Sequence, residues 1–487
     1  MKLTLVNHDY RYAAEQIMMS VFPMEKPEES SENEAKISLN EGKKFVTAFC
    51  AIRYKGECAT GSARVAAGEL TTKLKRDSLL QTCVKLAFYR AAVKIVPKPV
   101  WGSITGIRPG TIFTKYLESG MTEAQAKREM VRFYDLSPER AGFLADTSRV
   151  SLELKASLRP NDIALYVGIP FCPTRCAYCS FVSASVGKSM ALIPPFLAAL
   201  RREIGRIGGI VRELGLRPVA LYIGGGTPTT LSAEELTQLF GWLRESFDLS
   251  NLREFSVEAG RPDTITPDKL DAMERAGVTR ISVNPQSLSD DVLRAIGRSH
   301  SADMVREAYR TARERFSGEI NMDTIAGLPA DSAESFKATL DELISMAPEN
   351  ITVHTLALKK GSRITLEGSA IPDKAEVGRM LDYAAKALTE AGYRPYYLYR
   401  QKFMSGGFEN IGWARDNKIS PYNVLIMEEL CTILAAGGGA STKLVDPERG
   451  RIERIFDYKY PKEYVEGIEK TLADKEKIAA FYQDVIR

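Results

Sequence analysis

From Ile163 onward the chain alternates short apolar, often β-branched runs with amphipathic stretches, and few folds accept that rhythm. The strand-like runs are Ile163–Ile169, Val219–Ile223, Glu254–Val257, Arg280–Val283, Ile320–Ile325 and Ile351–Leu356. Helical periodicity marks Ile193–Leu214, Ala233–Ser246, Pro267–Ala276, Ala302–Arg315, Ser332–Met346 and Lys374–Ala391. Such alternation implies a parallel sheet, because parallel neighbours need a long crossover and a helix supplies it. Six units fit either a partial (β/α) barrel or a doubly wound sheet, and periodicity does not choose between them.

In both architectures chemistry gathers at the carboxyl ends of the strands. The polar residues that break the apolar pattern fall there. Cys172, Cys176 and Cys179 follow the first run, and Gly224-Gly225-Gly226-Thr227-Pro228-Thr229 follows the second. Glu258 ends the third, Asn284 and Gln286 follow the fourth, Asp323 lies in the fifth, and His354 and Ala357 close the sixth. A carboxylate inside Ile-Asn-Met-Asp-Thr-Ile is expected to be buried and to need a partner.

The three cysteines have the spacing C-x3-C-x2-C, so one short loop can offer three thiolates to an iron–sulfur cube and leave the fourth iron open. Structural zinc would require a fourth close ligand. The remaining candidates, Cys50, Cys58, Cys83, Cys431, His8, His300 and His354, are all distant in sequence. A disulfide framework does not suit a chain of 487 residues with seven cysteines and no secretory segment. The start of the chain lacks a signal-peptide apolar core, and no apolar run reaches the ~18 residues of a membrane span. The expected location is therefore the cytoplasm.

The flanks differ in character. Residues 1–160 hold 25 Lys/Arg against 18 Asp/Glu, within a whole-chain net charge of only +4. They read as an α+β domain, with strands at Lys2–Val6 and Lys44–Tyr54 and helices at Thr71–Val96, Thr111–Glu118 and Thr122–Tyr134. Pro27–Glu34 reads as a polar loop, and Trp101–Gly110 as a turn-rich link. Nine basic residues within 70–115 suit an acidic ligand or a solvated helix face. The chain thus divides into 1–160, 161–392 and 393–487, the last expected to cover a substrate, with a helix-like run at Val424–Ala436 before Gly437-Gly438-Gly439.

The cysteine loop, preceded by Tyr166-x-x-Ile-Pro-Phe and followed by Gly-Gly-Gly-Thr-Pro-Thr, resembles the radical S-adenosylmethionine superfamily. Val257-Glu-Ala, Arg280-Ile-Ser-Val-x-x-Gln286, Ile296-Gly-Arg298 and Asp323-x-x-x-Gly-Leu-Pro resemble its oxygen-independent coproporphyrinogen III dehydrogenases, and Trp-Gly-Ser-Ile-Thr-Gly-Ile-Arg-Pro their HemZ-like branch. The resemblance implies a partial six-stranded (β/α) barrel with an N-terminal α+β domain and a C-terminal α/β extension. It implies a [4Fe–4S] cluster on Cys172, Cys176 and Cys179, and one or two S-adenosylmethionines. Tyr166, Gly225 and Glu258 would contact the first. Tyr178, Gly226, Thr227, Gln286, Arg298, Asp323 and Ala357 would contact a second.

The implied reaction is decarboxylation of two propionates of coproporphyrinogen III by a 5′-deoxyadenosyl radical, giving protoporphyrinogen IX in haem biosynthesis. No catalytic residue beyond the cofactor ligands is implied. An electron donor such as flavodoxin or ferredoxin is the expected protein partner, and nucleic acid is not. The alternatives are a haem-binding chaperone of the same superfamily, or a radical enzyme with another substrate such as RNA. Arg394 and Arg400 are candidates to meet substrate carboxylates. Two departures stand out: Gly168 replaces a histidine beside the cluster, and a C-terminal His-Asn-x-x-Tyr-Trp motif is reduced to Tyr422-Asn423.

Overall fold

The computed structural model describes every residue except Met24, 180–183, 186–188, 360–361, 402–406, Glu448 and Arg487. The described residues form two compact units. One comprises Met1–Ala145 with Arg400, Gln401, Gly407 and Phe408; the other runs from Asp146 to Tyr399 and from Glu409 onward.

The first unit holds a four-stranded sheet in the order β1 (Lys2–Val6), β2 (Glu34–Glu41), β3 (Phe45–Tyr54), β4 (Glu57–Ala66). β1 runs parallel to β2, and the other pairs are antiparallel. Alternation sets its two faces: Val46, Ala48, Cys50 and Ile52 of β3 turn into a core shared with α1 (Arg11–Val21) and α2 (Lys73–Ala92). Burial of one such side chain as large as Phe88 contributes roughly 2–3 kcal/mol. Helices α3 (Gly110–Glu118) and α4 (Glu123–Tyr134) follow, and α4 opens on a capping box between Thr122 and Gln125. Arg400 is spent within this unit: it lies over the Trp101 ring at 5.3 Å and donates to the Ile104 carbonyl at 2.6 Å.

The second unit is built on an 11-stranded sheet. Its centre is β5 (Asp162–Ile169), β8 (Arg217–Gly225), β9 (Glu254–Gly260), β10 (Arg280–Val283), β11 (Glu319–Ala326) and β12 (Asn350–Thr355). These six stand side by side in chain order and all run parallel, the strand core of the partial barrel. Two short strands, β6 (Phe171–Cys172) and β7 (Ala184–Ser185), pair beside the first of them. Residues 393–487 lengthen the same sheet at both edges. β13 (Arg394–Tyr399) and β14 (Asn410–Ala414) join antiparallel beyond β12. β15 (Thr432–Gly437) pairs parallel with β5 and is followed by β16 (Ser441–Asp446) and β17 (Arg451–Phe456).

The helix expected over Val424–Ala436 is not one element. A helix ends at Glu428, Glu429 takes a left-handed φ of 54°, and β15 begins at Thr432. Glu428 and Glu429 interrupt the run at its middle, and the apolar stretch 433–436 beyond them is too short for periodicity to separate buried helix from buried strand. Arg394, offered for substrate carboxylates, is exposed and donates to the carbonyls of Thr389 and Tyr393.

Candidate cofactor site at the carboxyl rim

The cysteine loop leaves the end of β5 and is held from several sides. Arg261, buried, donates to the Thr174 hydroxyl at 2.8 Å and carbonyl at 3.2 Å while gripping Asp263 with two nitrogens. The Ala177 amide donates to the Ile296 carbonyl at 2.9 Å, and Cys179 N–H donates to Cys176 O at 3.1 Å. Cys172, Cys176 and Cys179 are all half-buried on this one turn.

The glycine turn after β8 grips the segment leading into that loop. Gly226 N–H donates to Ile169 O at 2.8 Å and Thr227 N–H to Phe171 O at 2.7 Å. A Cβ on Gly226 would stand 2.4 Å from the Phe171 carbonyl oxygen, so only glycine permits the contact. The buried Thr227 hydroxyl lies 3.5 Å from the Cys172 sulfur. Gly225, at φ 106°, makes the turn itself.

Inside the barrel a polar chain links the expected contacts. Tyr222 donates its hydroxyl to Glu258, and Asn284 Nδ2 donates to the same carboxylate at 3.0 Å. The Asn284 carbonyl accepts from Arg298 at 2.8 Å, and a second Arg298 nitrogen donates to the Tyr178 hydroxyl at 2.9 Å. The Arg298 guanidinium also faces Cys176, whose sulfur adds to the charge field around it. Asp323 accepts from Asn321 at 2.8 Å and stands 3.7 Å from His354 Nε2. Gln286, at φ 67°, is fixed by its backbone, which bridges to Thr324 and donates to Asp323 O at 2.9 Å.

Two carboxyls in one enclosure are driven apart. Burial, then the charge of Asp323, pushes the Glu258 carboxyl up to about 7. Burial also works against the Asp323 carboxylate, but His354, Asn321 and Thr352 outweigh it and hold its pKa below the usual value. Tyr166 ends near Glu258, whose charge adds to burial in raising the phenol. Ala357 lies just past β12, and its carbonyl accepts from Lys359 N–H at 3.1 Å.

The donor set fits a thiolate-bound cluster. Among the described residues no three Cys, His, Asp or Glu side chains converge on a point that one ion could fill. A cube makes no such demand, since each thiolate binds its own iron. Two buried donors, Arg298 Nε and the Tyr422 hydroxyl, have no hydrogen-bond partner among the described residues. Each costs free energy until something polar meets it.

Sequence reasoning missed Tyr222, Tyr422 and Arg261. Tyr222 had a signal: Ala164-Leu-Tyr-Val-Gly168 and Ala220-Leu-Tyr-Ile-Gly224 are near copies, and they pair in register as Tyr166↔Tyr222 and Gly168↔Gly224. Tyr422 reaches the same place from far along the chain, its ring stacked 4.5 Å from Tyr222 and 6.5 Å from Tyr166. Nothing local in the sequence announces that contact. Gly168, where the histidine is missing, is closely flanked. A Cβ there would lie 3.1 Å from Gly438 O and 3.4 Å from the Tyr166 ring.

The sequence matches the radical SAM superfamily over residues 166–343. It is 39% identical over 380 residues to the oxygen-independent coproporphyrinogen-III oxidase-like protein HemZ of Bacillus subtilis, covering 77% of this chain and 76% of that protein. It is 26% identical to the haem chaperone HemW of Escherichia coli, over 63% of this chain and 76% of that one. The structure of coproporphyrinogen III oxidase (HemN) from Escherichia coli superposes with a TM-score of 0.53 at 23% identity, covering 67% of this chain and 73% of that one. That likeness fixes the fold. The chain belongs to the radical SAM superfamily and, within it, to the family of HemZ. The cofactors of this class are a [4Fe–4S] cluster and S-adenosylmethionine. No helix among the described residues is long and apolar enough to cross a membrane.

Proposed function

We propose that this chain carries out the oxygen-independent oxidative decarboxylation of coproporphyrinogen III to protoporphyrinogen IX. The observation that carries the reading is the linked set Tyr222–Glu258–Asn284–Arg298–Tyr178, closed against Cys176 at the barrel rim. Membership in the family of a coproporphyrinogen-III oxidase-like protein points the same way. Bound here, the cluster and S-adenosylmethionine supply an electron and a carbon radical able to take hydrogen from a propionate side chain.

The chain's own residues hold and screen. Cys172, Cys176 and Cys179 are the cluster ligands in this reading, with the Arg298 guanidinium beside Cys176. Tyr166, Gly225 and Glu258 bind a first S-adenosylmethionine, and Glu258 near pH 7 can hold or release a proton at its carboxyl. Tyr178, Gly226, Thr227, Gln286, Arg298, Asp323 and Ala357 are assigned to a second. Tyr422, which packs on Tyr166 and Tyr222, supports a covering role for residues 393–487. Enclosure keeps water from the radical step. An electron donor of flavodoxin or ferredoxin type and a cytoplasmic setting complete the proposal.

The haem chaperone is the second reading, favoured by the likeness to HemW. Against it, Tyr422 is buried in the tyrosine stack, and Asn423 is engaged with the Tyr396 hydroxyl at 3.1 Å. Anaerobic reconstitution with reductant, S-adenosylmethionine and coproporphyrinogen III separates the two. Decarboxylation yields 5′-deoxyadenosine and protoporphyrinogen, and Cys176→Ala abolishes both. Haem bound tightly without either product would establish the chaperone instead.

A further inference from the structure

The first unit carries a cleft that the proposed reaction does not use. It has a volume of about 650 Å³, the size of a small-molecule site, and opens between the edge strand β4, the end of α2 and the end of α4. Its apolar walls are Phe49, Leu86, Val93 and Phe133, and Phe49 is 44% exposed in mid-strand. Phe49 shares the cleft with Val93 and Phe133, so its exposure belongs to an apolar patch and not to a lone surface ring.

The cations of the cleft are unequal. Lys98 is paired with Asp135 at 2.8 Å, and Arg132 with Glu129 at 2.7 Å. Arg90 and Lys94 have no carboxylate partner among the described residues. Each instead donates to a neutral carbonyl of edge strand β4, Arg90 to Ser62 O and Lys94 to Thr60 O, both at 2.8 Å. Those bonds cover the sheet edge and fix both head groups without neutralising them. Two fixed, unneutralised cations four residues apart, beside an aromatic and aliphatic wall, suit one apolar body that bears two neighbouring acidic groups.

We propose that this cleft docks a tetrapyrrole through two of its propionates, with the macrocycle against Phe49 and Phe133. The choice of tetrapyrrole rests on the reaction proposed above, whose product keeps two of the substrate's four carboxylates. The cleft itself rests on the geometry alone. A single nucleic acid strand is the competing occupant, since bases also stack on phenyl rings beside basic side chains. The bounded volume and the single unpaired pair of cations favour the compact dicarboxylate.

The test uses the full chain and amide hydrogen exchange, which reports where a ligand sits. Protoporphyrin IX should slow exchange at residues 60–62 and 86–94, and its dimethyl ester should not. Arg90→Glu with Lys94→Glu should weaken that protection at least tenfold, while Arg90→Lys with Lys94→Arg retains it. Melting curves show that each variant is folded. Equal protection by the ester, no protection at saturating porphyrin, or protection by a uridine oligomer alone would each overturn the proposal. Turnover of coproporphyrinogen in the same preparation keeps the two readings apart. Turnover without protection at the cleft removes only the cleft, and protection without turnover removes only the reaction.

Discussion

Glu258 is pulled in two directions by its surroundings. Burial and the Asp323 charge favour the neutral acid, while hydrogen bonds from Tyr222, Asn284 and Ser282 favour the anion, and the balance stands at about 7. The unfolded chain releases the same proton near 4.5. A carboxyl raised in the fold lends stability that is complete below the unfolded value and is lost as pH rises through the folded one. Between about pH 5 and 7 the cofactor-free protein should therefore lose on the order of 2 kcal/mol from this group. Glu258→Gln keeps the shape and removes the proton, so its melting temperature should fall less than the wild type's over that interval. Parallel slopes for the two proteins would show that Glu258 is already ionised in the fold. At this scale the sequence was informative where a residue broke a pattern, as Glu258 and Asp323 do. It marked Tyr422 only as the remnant of a C-terminal motif and not as a neighbour of Tyr166 and Tyr222, a contact made because a distant segment folds back onto β5 and β8.

The elements that present the site do so through backbone contact more than through side chains. Arg261 anchors the cysteine loop at Thr174 and is the main counter-charge to Asp263. Arg261→Met leaves that carboxylate without its partner, at a cost of about 3 kcal/mol. It should also speed amide exchange across residues 172–179 and hasten cluster loss in air. Unchanged exchange there would mean the loop is fixed by its other bonds alone. On the far side of β5, β15 approaches so closely that a Cβ on Gly437, at φ 103°, would fall 2.2 Å from Gly168 O. Gly437→Ala should therefore dislodge β15 from β5 and lower the melting temperature by several degrees. The six parallel strands were legible because each pairs an apolar run with a following amphipathic helix. β15 was not, because after Thr432 its run Ile-Leu-Ala-Ala shows no alternation and follows a helix after a turn of three residues. Just past the same strand, the Gly438 carbonyl would stand 3.1 Å from a Cβ at Gly168, so a side chain there needs that backbone to give by a few tenths of an ångström.

Across the second unit, one buried charge cluster ties the C-terminal helices to the barrel. Lys475 is wholly buried and bridges Glu203 and Asp457, each at 2.8 Å. Glu203 lies in the helix Ile193–Glu213, accepts the Tyr464 hydroxyl, and accepts the Gly437 amide at 2.9 Å where β15 ends beside Gly168. One ammonium cannot balance two buried carboxylates. Burial and the charge of Glu203 therefore push Asp457 up to about 8, so near neutral pH it holds a proton and the cluster carries no net charge. The sign follows as for Glu258: stability is lost as pH rises from the ordinary aspartate range through 8. Asp457→Asn fixes the neutral form and should flatten the fall of the melting temperature between about pH 4 and 8. Lys475→Met removes the cation that bridges Glu203 and Asp457 and should cost about 3–5 kcal/mol, because two buried acids then face each other. Combining Lys475→Met with Glu203→Gln and Asp457→Asn replaces charge by neutral groups of similar size. That triple variant should recover most of the loss, since burying ions is itself costly. Urea titrations of the three proteins at pH 7 decide the matter. A triple variant no more stable than Lys475→Met would mean that the cluster acts through shape and not through charge.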